Sequence, residues 1–409
     1  MLLFLLVILL SLKQFSVTAL PHQDSFDRRN EVFRNDDKLI FVQVIYRHGF
    51  TNIKNISYPN DPYRNESNWV GGFHQLNNVR LEFKFHFKLY ANLPHQNQKE
   101  GKREMFELGQ YFRRRYNELL GDKYSANRVY VRSTDTDRSI CSALCNLAGL
   151  FPPTVNETWN ENILWQPIPV HSVPIHLDYV LWGPPDDCQA FFAAYDKYQR
   201  ESPEVKRIYA DYADEFAHWS EMCGKKLITI YDVTQLYNTL RKESLLNKTL
   251  ASWAQEAIKP KGVMEYIASF NQKLKSDTKE LARLQSGFLI KEIFERFGQK
   301  INSTLQPNRS IWYYSAHDTT ISSMLNSLGL LELHILPFAC SLHFELYEVD
   351  GNEHYIQVFY RKSNEEFLAP LNIPNCGEKC SLDQLYKLYN DIIPDCDHDI
   401  ECGLIKDSY

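Results

Sequence analysis

The 409-residue chain has no excess of basic charge. Its 45 Lys and Arg stand against 51 Asp and Glu, a formal net charge of −6. A general nucleic-acid binder shows a basic surface, so this balance argues against one. There is no internal repeat and no low-complexity tract, which argues against repeat architectures and disordered tails. Beyond the first dozen residues no apolar run is long enough to cross a bilayer. His74, His86 and His95 follow no defensible metal-ligand spacing.

What is present is apolar bulk. At 44% hydrophobic residues, a chain of this length buries a large core, as one domain with an inserted subdomain or as two domains. Residues 1–12 are rich in Leu, Val, Ile and Phe and precede Val17-Thr18-Ala19, although no positive residue comes before Lys13. That reads as a secretory signal over residues 1–19, too short to span a membrane. Six Asn-x-Ser/Thr sites (Asn55, Asn65, Asn156, Asn247, Asn302 and Asn308) fit a glycosylated, soluble protein in the secretory route. Nine cysteines in an oxidising compartment are expected mostly to pair, with at least one odd thiol.

The stretch that organises the rest is LIFVQVIYRHG, Leu39 to Gly49. Leu39 to Tyr46 is apolar and β-branched apart from Gln43, the pattern of a strand buried on both faces in a parallel sheet. It ends in Arg47 and His48, which places a guanidinium and an imidazole where open α/β sheets bind ligands, and Gly49 lets the backbone turn. Two later strand-then-helix units match it. A strand from Arg128 to Val131 ends at Arg132 and leads through Ser133-Thr134-Asp135, good capping residues, to a helix Asp137–Leu150. A strand Ile311–Tyr314 ends in Ser315-Ala316-His317-Asp318, with a helix after it.

Between these units, Lys99 to Leu120 reads as one helix with a solvated basic face at Arg113 to Arg115. Residues 151–284 read as a mainly helical subdomain, and 342–358 as a hairpin turned at Asp350-Gly351. His343 and His354 fall in that strand pattern and take no role. Leu81 to Leu89 alternates apolar and polar residues as a half-exposed strand does.

Taken singly, these residues have plainer readings. A His after a strand is usually a hydrogen-bonded loop residue, an Arg such as Arg132 is usually a structural ion pair, and an Asp such as Asp318 is usually a helix N-cap. Together, the motifs RHG, RSTDTDRS and YSAHDTT resemble the histidine acid phosphatases, the branch of the histidine phosphatase superfamily that includes prostatic, lysosomal and insect venom acid phosphatases. YPNDPY, LFPPT, WQPIPV and CGEKC extend the resemblance over nearly the whole chain.

The resemblance implies an α/β fold: a mostly parallel central sheet flanked by helices (residues 20–150 and 285–409), with a smaller helical cap subdomain (151–284). It implies a phosphomonoesterase in which His48 is the nucleophile and forms a phosphohistidine. Arg47, Arg132 and His317 would bind the phosphate, and Asp318 would protonate the leaving alcohol and later activate water. No metal or other cofactor is required. Substrates would be small phosphomonoesters or a phosphoprotein, and a homodimer is implied. It further implies disulfides Cys376–Cys380, Cys223–Cys340 and Cys188–Cys402, leaving Cys141, Cys145 and Cys396, of which the first two are expected reduced and buried.

Two departures stand out. The family's first motif carries a third arginine three residues after the histidine, and here that position is Thr51. A charge-assisted contact is worth on the order of 1.5–3 kcal/mol, so activity should fall by about ten- to over a hundredfold. In the extreme the chain would be a phosphatase-fold protein that binds without turnover. Residues 77–98 also interrupt the family's continuous pattern and read as an insertion.

Overall fold

The computed structural model describes residues 37–55, 58–76, 101–349, 353–362 and 364–405. The signal-like segment, the 77–98 insertion with its alternating Phe residues, and the hairpin turn lie outside them. Six strands form one sheet: β1 (Lys38–Arg47), β2 (Val129–Thr134), β3 (His171–Val173), β4 (Ile311–Ala316), β5 (Ser341–Val349) and β6 (Glu353–Arg361), in the order β3-β2-β4-β1-β5-β6. The first four in that order pair in parallel, and β5 and β6 add an antiparallel hairpin beside β1. The fold is therefore α/β with a mostly parallel sheet flanked by helices. The open side of β6 is bridged at Ile356–Cys380 and Phe359–Pro370, so the tail covers an edge that would otherwise be free to pair.

The strand β1 explains its own sequence. Phe41 and Ile45 enter one apolar cluster with Ile290, Ile293, Phe294 and Phe297 of the helix Phe288–Ile301. Val42, Val44 and Tyr46 enter another, with Met105, Leu108 and Phe112 of the helix Gly101–Arg115 and with Ala143 and Leu147 of Asp137–Leu150. Both faces are covered, as the unbroken apolar run requires. Gln43 is tolerated because its amide donates to the Ile293 carbonyl (2.9 Å) and accepts from Arg296 (2.7 Å). The two helices on the second face cross closely: a Cβ on Gly109 would lie 1.9 Å from the Asn146 carbonyl oxygen.

Residues 151–284 hold mostly helices, with a cluster of their own built on Val205, Ile230, Val233, Leu240, Met264 and Ile267. Among the described residues no helix is long and apolar enough to cross a membrane.

Several local expectations change. The 99–120 helix is two, Gly101–Arg115 and Asn117–Leu120, broken at Tyr116. Its basic run is a solvated face only in part: Arg114 is exposed, but Arg115 pairs with buried Glu345 (2.9 Å), which also accepts from the Tyr116 hydroxyl (2.6 Å). His343 is fully buried against Tyr116 (2.6 Å) and Ser341 (2.8 Å). Cys188–Cys402 and Cys376–Cys380 are bonded, but Cys223 and Cys340 are not. Cys223 ends a helix in the 151–284 cluster and Cys340 packs in the sheet cluster, so each thiol is buried in a different core. Cys141 and Cys145 are unpaired and only half-buried.

One buried acid pair joins the YPNDPY turn to the helix Ile230–Leu245. Asp61 and Glu243 lie side by side, 3% and 0% exposed. Burial and the neighbouring Asp61 push the Glu243 carboxyl up to about 8. A carboxyl with a raised folded-state pKa holds a proton that the unfolded chain has already lost, so its contribution to stability declines from about pH 4.5 to about 8. Glu243→Gln should therefore become progressively more stable relative to wild type across that window, by at least about 1 kcal/mol at pH 8, where one pKa unit is about 1.4 kcal/mol. Urea unfolding of both proteins at pH 5 and pH 8 checks this; a constant difference contradicts it.

Candidate active site

The parallel pairing of β1 with β4 sets Arg47 opposite Ala316, so the two strands end level and release His48 and His317 side by side. Their ring centroids are 5.5 Å apart. Just beyond them, Gly49 packs against the first residue of the 101–115 helix: a Cβ there would lie 2.3 Å from the Gly101 carbonyl oxygen. That close approach, rather than a positive φ, is why the position takes glycine. The next residue, Phe50, donates its backbone N–H to Glu104 (2.7 Å).

Arg47, His48, His317 and Asp318 all face one cavity of about 460 Å³, bounded on its far side by the 230–245 helix. His48 is 6% exposed, and its Nδ1 lies 2.8 Å from the Gly49 carbonyl oxygen. A carbonyl only accepts, so Nδ1 carries the proton and Nε2 keeps its lone pair. Burial, then the charges of Arg47 and Arg138, hold the His48 pKa well below its usual value, so the ring is neutral in mild acid.

His317 is placed as the N-cap of the helix Asp318–Ser327. Its Nε2 meets the Thr134 hydroxyl at 2.8 Å, and its Nδ1 accepts from Arg138 at 3.3 Å. Burial and Arg138 pull its pKa down to about 3. It is a neutral donor here, so it joins the site as a hydrogen-bonding group rather than as a cation.

Asp318 is the first residue of its helix rather than the cap, and accepts from its neighbour Thr319 N–H at 2.9 Å. Burial raises its pKa, but Arg47 at 2.7 Å and the nearby His317 outweigh this and hold the carboxyl below its usual value. The Arg47 guanidinium also donates to the Leu336 carbonyl and lies 4.2 Å over the Phe338 ring.

Arg132 is not brought to this cavity. β2 runs on to Thr134, so Arg132 pairs with Tyr314, two residues short of the level where β1 and β4 end. Its guanidinium is held by buried Asp178 and by Glu292 (3.5 Å), in the network that also contains Arg296 and Tyr314. The plain structural reading of that arginine is what the structure shows. The arginine that does line the cavity is Arg138, in the first turn of the 137–150 helix. It is the second arginine of the RSTDTDR stretch, and the signal for it was its place on a helix N-terminal turn following a strand.

Thr51, 2% exposed, also lines the cavity, and its hydroxyl accepts from Lys242 Nζ at 3.1 Å. Lys242 comes from the 230–245 helix, where no sequence spacing ties it to the RHG motif. As for metals, the described residues offer two ligand-like clusters. In Cys188, His398 and Cys402 the sulfurs are joined to each other, and in Asp395, Cys396 and Glu401 both carboxylates pair with Arg283.

Comparison with known proteins places the chain in a family. The family described as histidine phosphatase superfamily (branch 2) matches residues 38–361. The chain belongs to that family. It is 34% identical to rat (Rattus norvegicus) prostatic acid phosphatase over 363 residues, covering 87% of each chain. It is 33% identical to rat lysosomal acid phosphatase over 378 residues, 90% of this chain and 81% of the relative. Among solved structures, a Klebsiella sp. ASR1 phytase superposes with a TM-score of 0.62 at 15% identity, covering 89% of this chain and 98% of its own. A Hafnia alvei phytase in complex with myo-inositol hexakis sulphate gives 0.58 at 15% identity, covering 90% and 99%. At such identities these likenesses speak for the fold.

The two arginines should separate cleanly in a family member. Arg132→Met leaves Asp178 buried and unpaired, and should cost about 3 kcal/mol of stability with phosphate affinity changed less than threefold. Arg138→Met should weaken inorganic phosphate inhibition by about tenfold or more with a smaller loss of stability. Denaturant melts and phosphate inhibition constants measured on both variants decide; equal effects on the two readouts contradict the assignment.

Proposed function

We propose that the protein is a secreted or lysosomal acid phosphatase that hydrolyses phosphate monoesters through a phosphohistidine on His48. The observation that carries this is the His48 ring, with Nδ1 bonded to the Gly49 carbonyl and the lone pair of Nε2 available beside a cavity lined by cations.

The sequence of steps follows from the groups present. The phosphoryl oxygens bind Arg47 and Arg138, and His317 lies beside them as a neutral hydrogen-bonding group. Nε2 of His48 attacks phosphorus, a P–N bond forms and the P–O bond to the alcohol breaks. Asp318 gives its proton to the leaving oxygen. In the ligand-free site Arg47 keeps Asp318 ionised, but a bound phosphate dianion competes for that guanidinium and so raises the Asp318 pKa. Acidic solution supplies the proton, while His48 remains neutral because its own pKa lies well below the usual value. In the second half, Asp318 takes a proton from water as the water oxygen displaces His48 from phosphorus, releasing phosphate.

The secretory assignment draws on the signal-like N-terminal segment, the Cys188–Cys402 bond and six sequon asparagines that are all exposed. The prostatic and lysosomal relatives support it. The convergence of nucleophile, acid and arginines on one cavity favours turnover over binding alone.

His48→Ala should abolish turnover, and acid quench of wild type with labelled substrate should leave phosphate on His48. Activity surviving the substitution, or label on another residue, removes His48 from the role. Asp318→Asn should slow alkyl phosphates, whose leaving groups need a proton, far more than para-nitrophenyl phosphate. Equal slowing of the two would count against Asp318 as the proton donor.

A further inference from the structure

The lost arginine at position 51 leaves the RHG loop with a short neutral side chain, yet the cavity beside it is not short of charge. Lys242 Nζ reaches across from the 230–245 helix and donates to Thr51 Oγ1 (3.1 Å) and to the Asn52 carbonyl (2.9 Å). Both partners are neutral. An ammonium has three N–H donors, so one is left over on a group that lines the same cavity as His48. Arg47 differs in this respect, being paired with Asp318, whereas no ion pair to Lys242 is found among the described residues. Lys242 and Arg241 each lie 6.0 Å from the Phe338 ring that Arg47 covers at 4.2 Å, which puts three cations around one aromatic side chain. Such a group is repelled by its neighbours until an anion enters.

We infer that Lys242 is a phosphate-binding residue, the cation that replaces the first-motif arginine in space, and that Thr51 and Asn52 hold its ammonium toward the phosphoryl group. The inference rests on the phosphatase reading and adds the residue that restores the site's missing charge. A short hydroxyl at position 51 has a purpose here, because an arginine would compete for the space that the ammonium occupies.

The replacement is not neutral in its consequences. An arginine stays charged at any working pH, whereas a buried lysine titrates. Burial first, then Arg47, Arg138 and Arg241, pull the Lys242 pKa down to about 7, against the opposing pull of Asp318. The two imidazoles that line the cavity with it, His48 and His317, are already neutral there. The site should therefore lose a cation as pH rises through about 7, which confines tight phosphate binding to acid.

The test compares wild type, Lys242→Gln and Lys242→Arg, using inorganic phosphate inhibition and direct calorimetric binding, with kcat/KM for para-nitrophenyl phosphate. Gln keeps a donor for Thr51 and Asn52 but removes the charge, so a merely structural Lys242 would be rescued by Gln. At pH 5 we expect Lys242→Gln to lose at least tenfold in phosphate affinity, and Lys242→Arg to recover most of that loss. Phosphate affinity of Lys242→Arg relative to wild type should rise at least threefold between pH 5.5 and 8; the ratio cancels phosphate's own ionisation. This comparison stands even if the Gln variant does not fold. Unchanged affinity in the Gln variant, or a flat ratio, overturns the role of Lys242 while wild-type turnover keeps the phosphatase reading intact. A wild type with neither turnover nor phosphate affinity overturns both.

Discussion

The site depends on one register: Arg47 of β1 opposite Ala316 of β4. Because the two parallel strands end level, the residues that follow, His48 and His317, emerge side by side at the carboxyl end of the sheet, the end at which open α/β sheets bind ligands. A one-residue slip would turn the alternating side chains of β1 over, sending Phe41 and Ile45 to the wrong cluster. The apolar packing on both faces of β1 is therefore what fixes the geometry at the head of the cavity. The same pairing brings Asp318, the first residue of the following helix, within 2.7 Å of Arg47.

Charge inside the cavity is arranged around this geometry. Cations come from the end of β1, from the first turn of the 137–150 helix and from the 230–245 helix, and the imidazoles among them are kept neutral by burial and by those same charges. Asp318, held ionised by Arg47, lines the same cavity. An environment that penalises a protonated imidazole is one that favours an incoming dianion, so the neutrality of His48 and the cavity's affinity for anions would have a common origin. Lys242 belongs to this set, and its position ties the 230–245 helix to the cavity that His48 lines.

β1 and β4 were legible in the sequence because they are largely buried and read as continuous apolar runs, whereas the short, mostly exposed β3 carries no such run. His48, His317, Asp318 and Arg47 were legible because each follows directly from such a run. Arg132 misled because the apolar pattern stops at Val131 while β2 continues through Arg132, Ser133 and Thr134: polar residues are retained there because Asp178, the Thr134 backbone carbonyl and His317 satisfy them. Lys242 could not be found from spacing, since its partners Thr51 and Asn52 lie some 190 residues away and only the tertiary fold joins them. Cys223 and Cys340 carry a similar lesson, for a family pairing carried over by resemblance says nothing of which core each thiol enters in this chain.

The central claim is that His48 stands ready as a neutral imidazole with its proton on Nδ1. Nitrogen-15 NMR of histidine-labelled protein, with His48→Gln used to assign the signal, reads tautomer and charge together. The account predicts an Nδ1–H ring whose Nε2 carries a lone pair, with its protonation moved well below the ordinary histidine range. A His48 signal that titrates near pH 6.5, or one that carries its proton on Nε2, would contradict it.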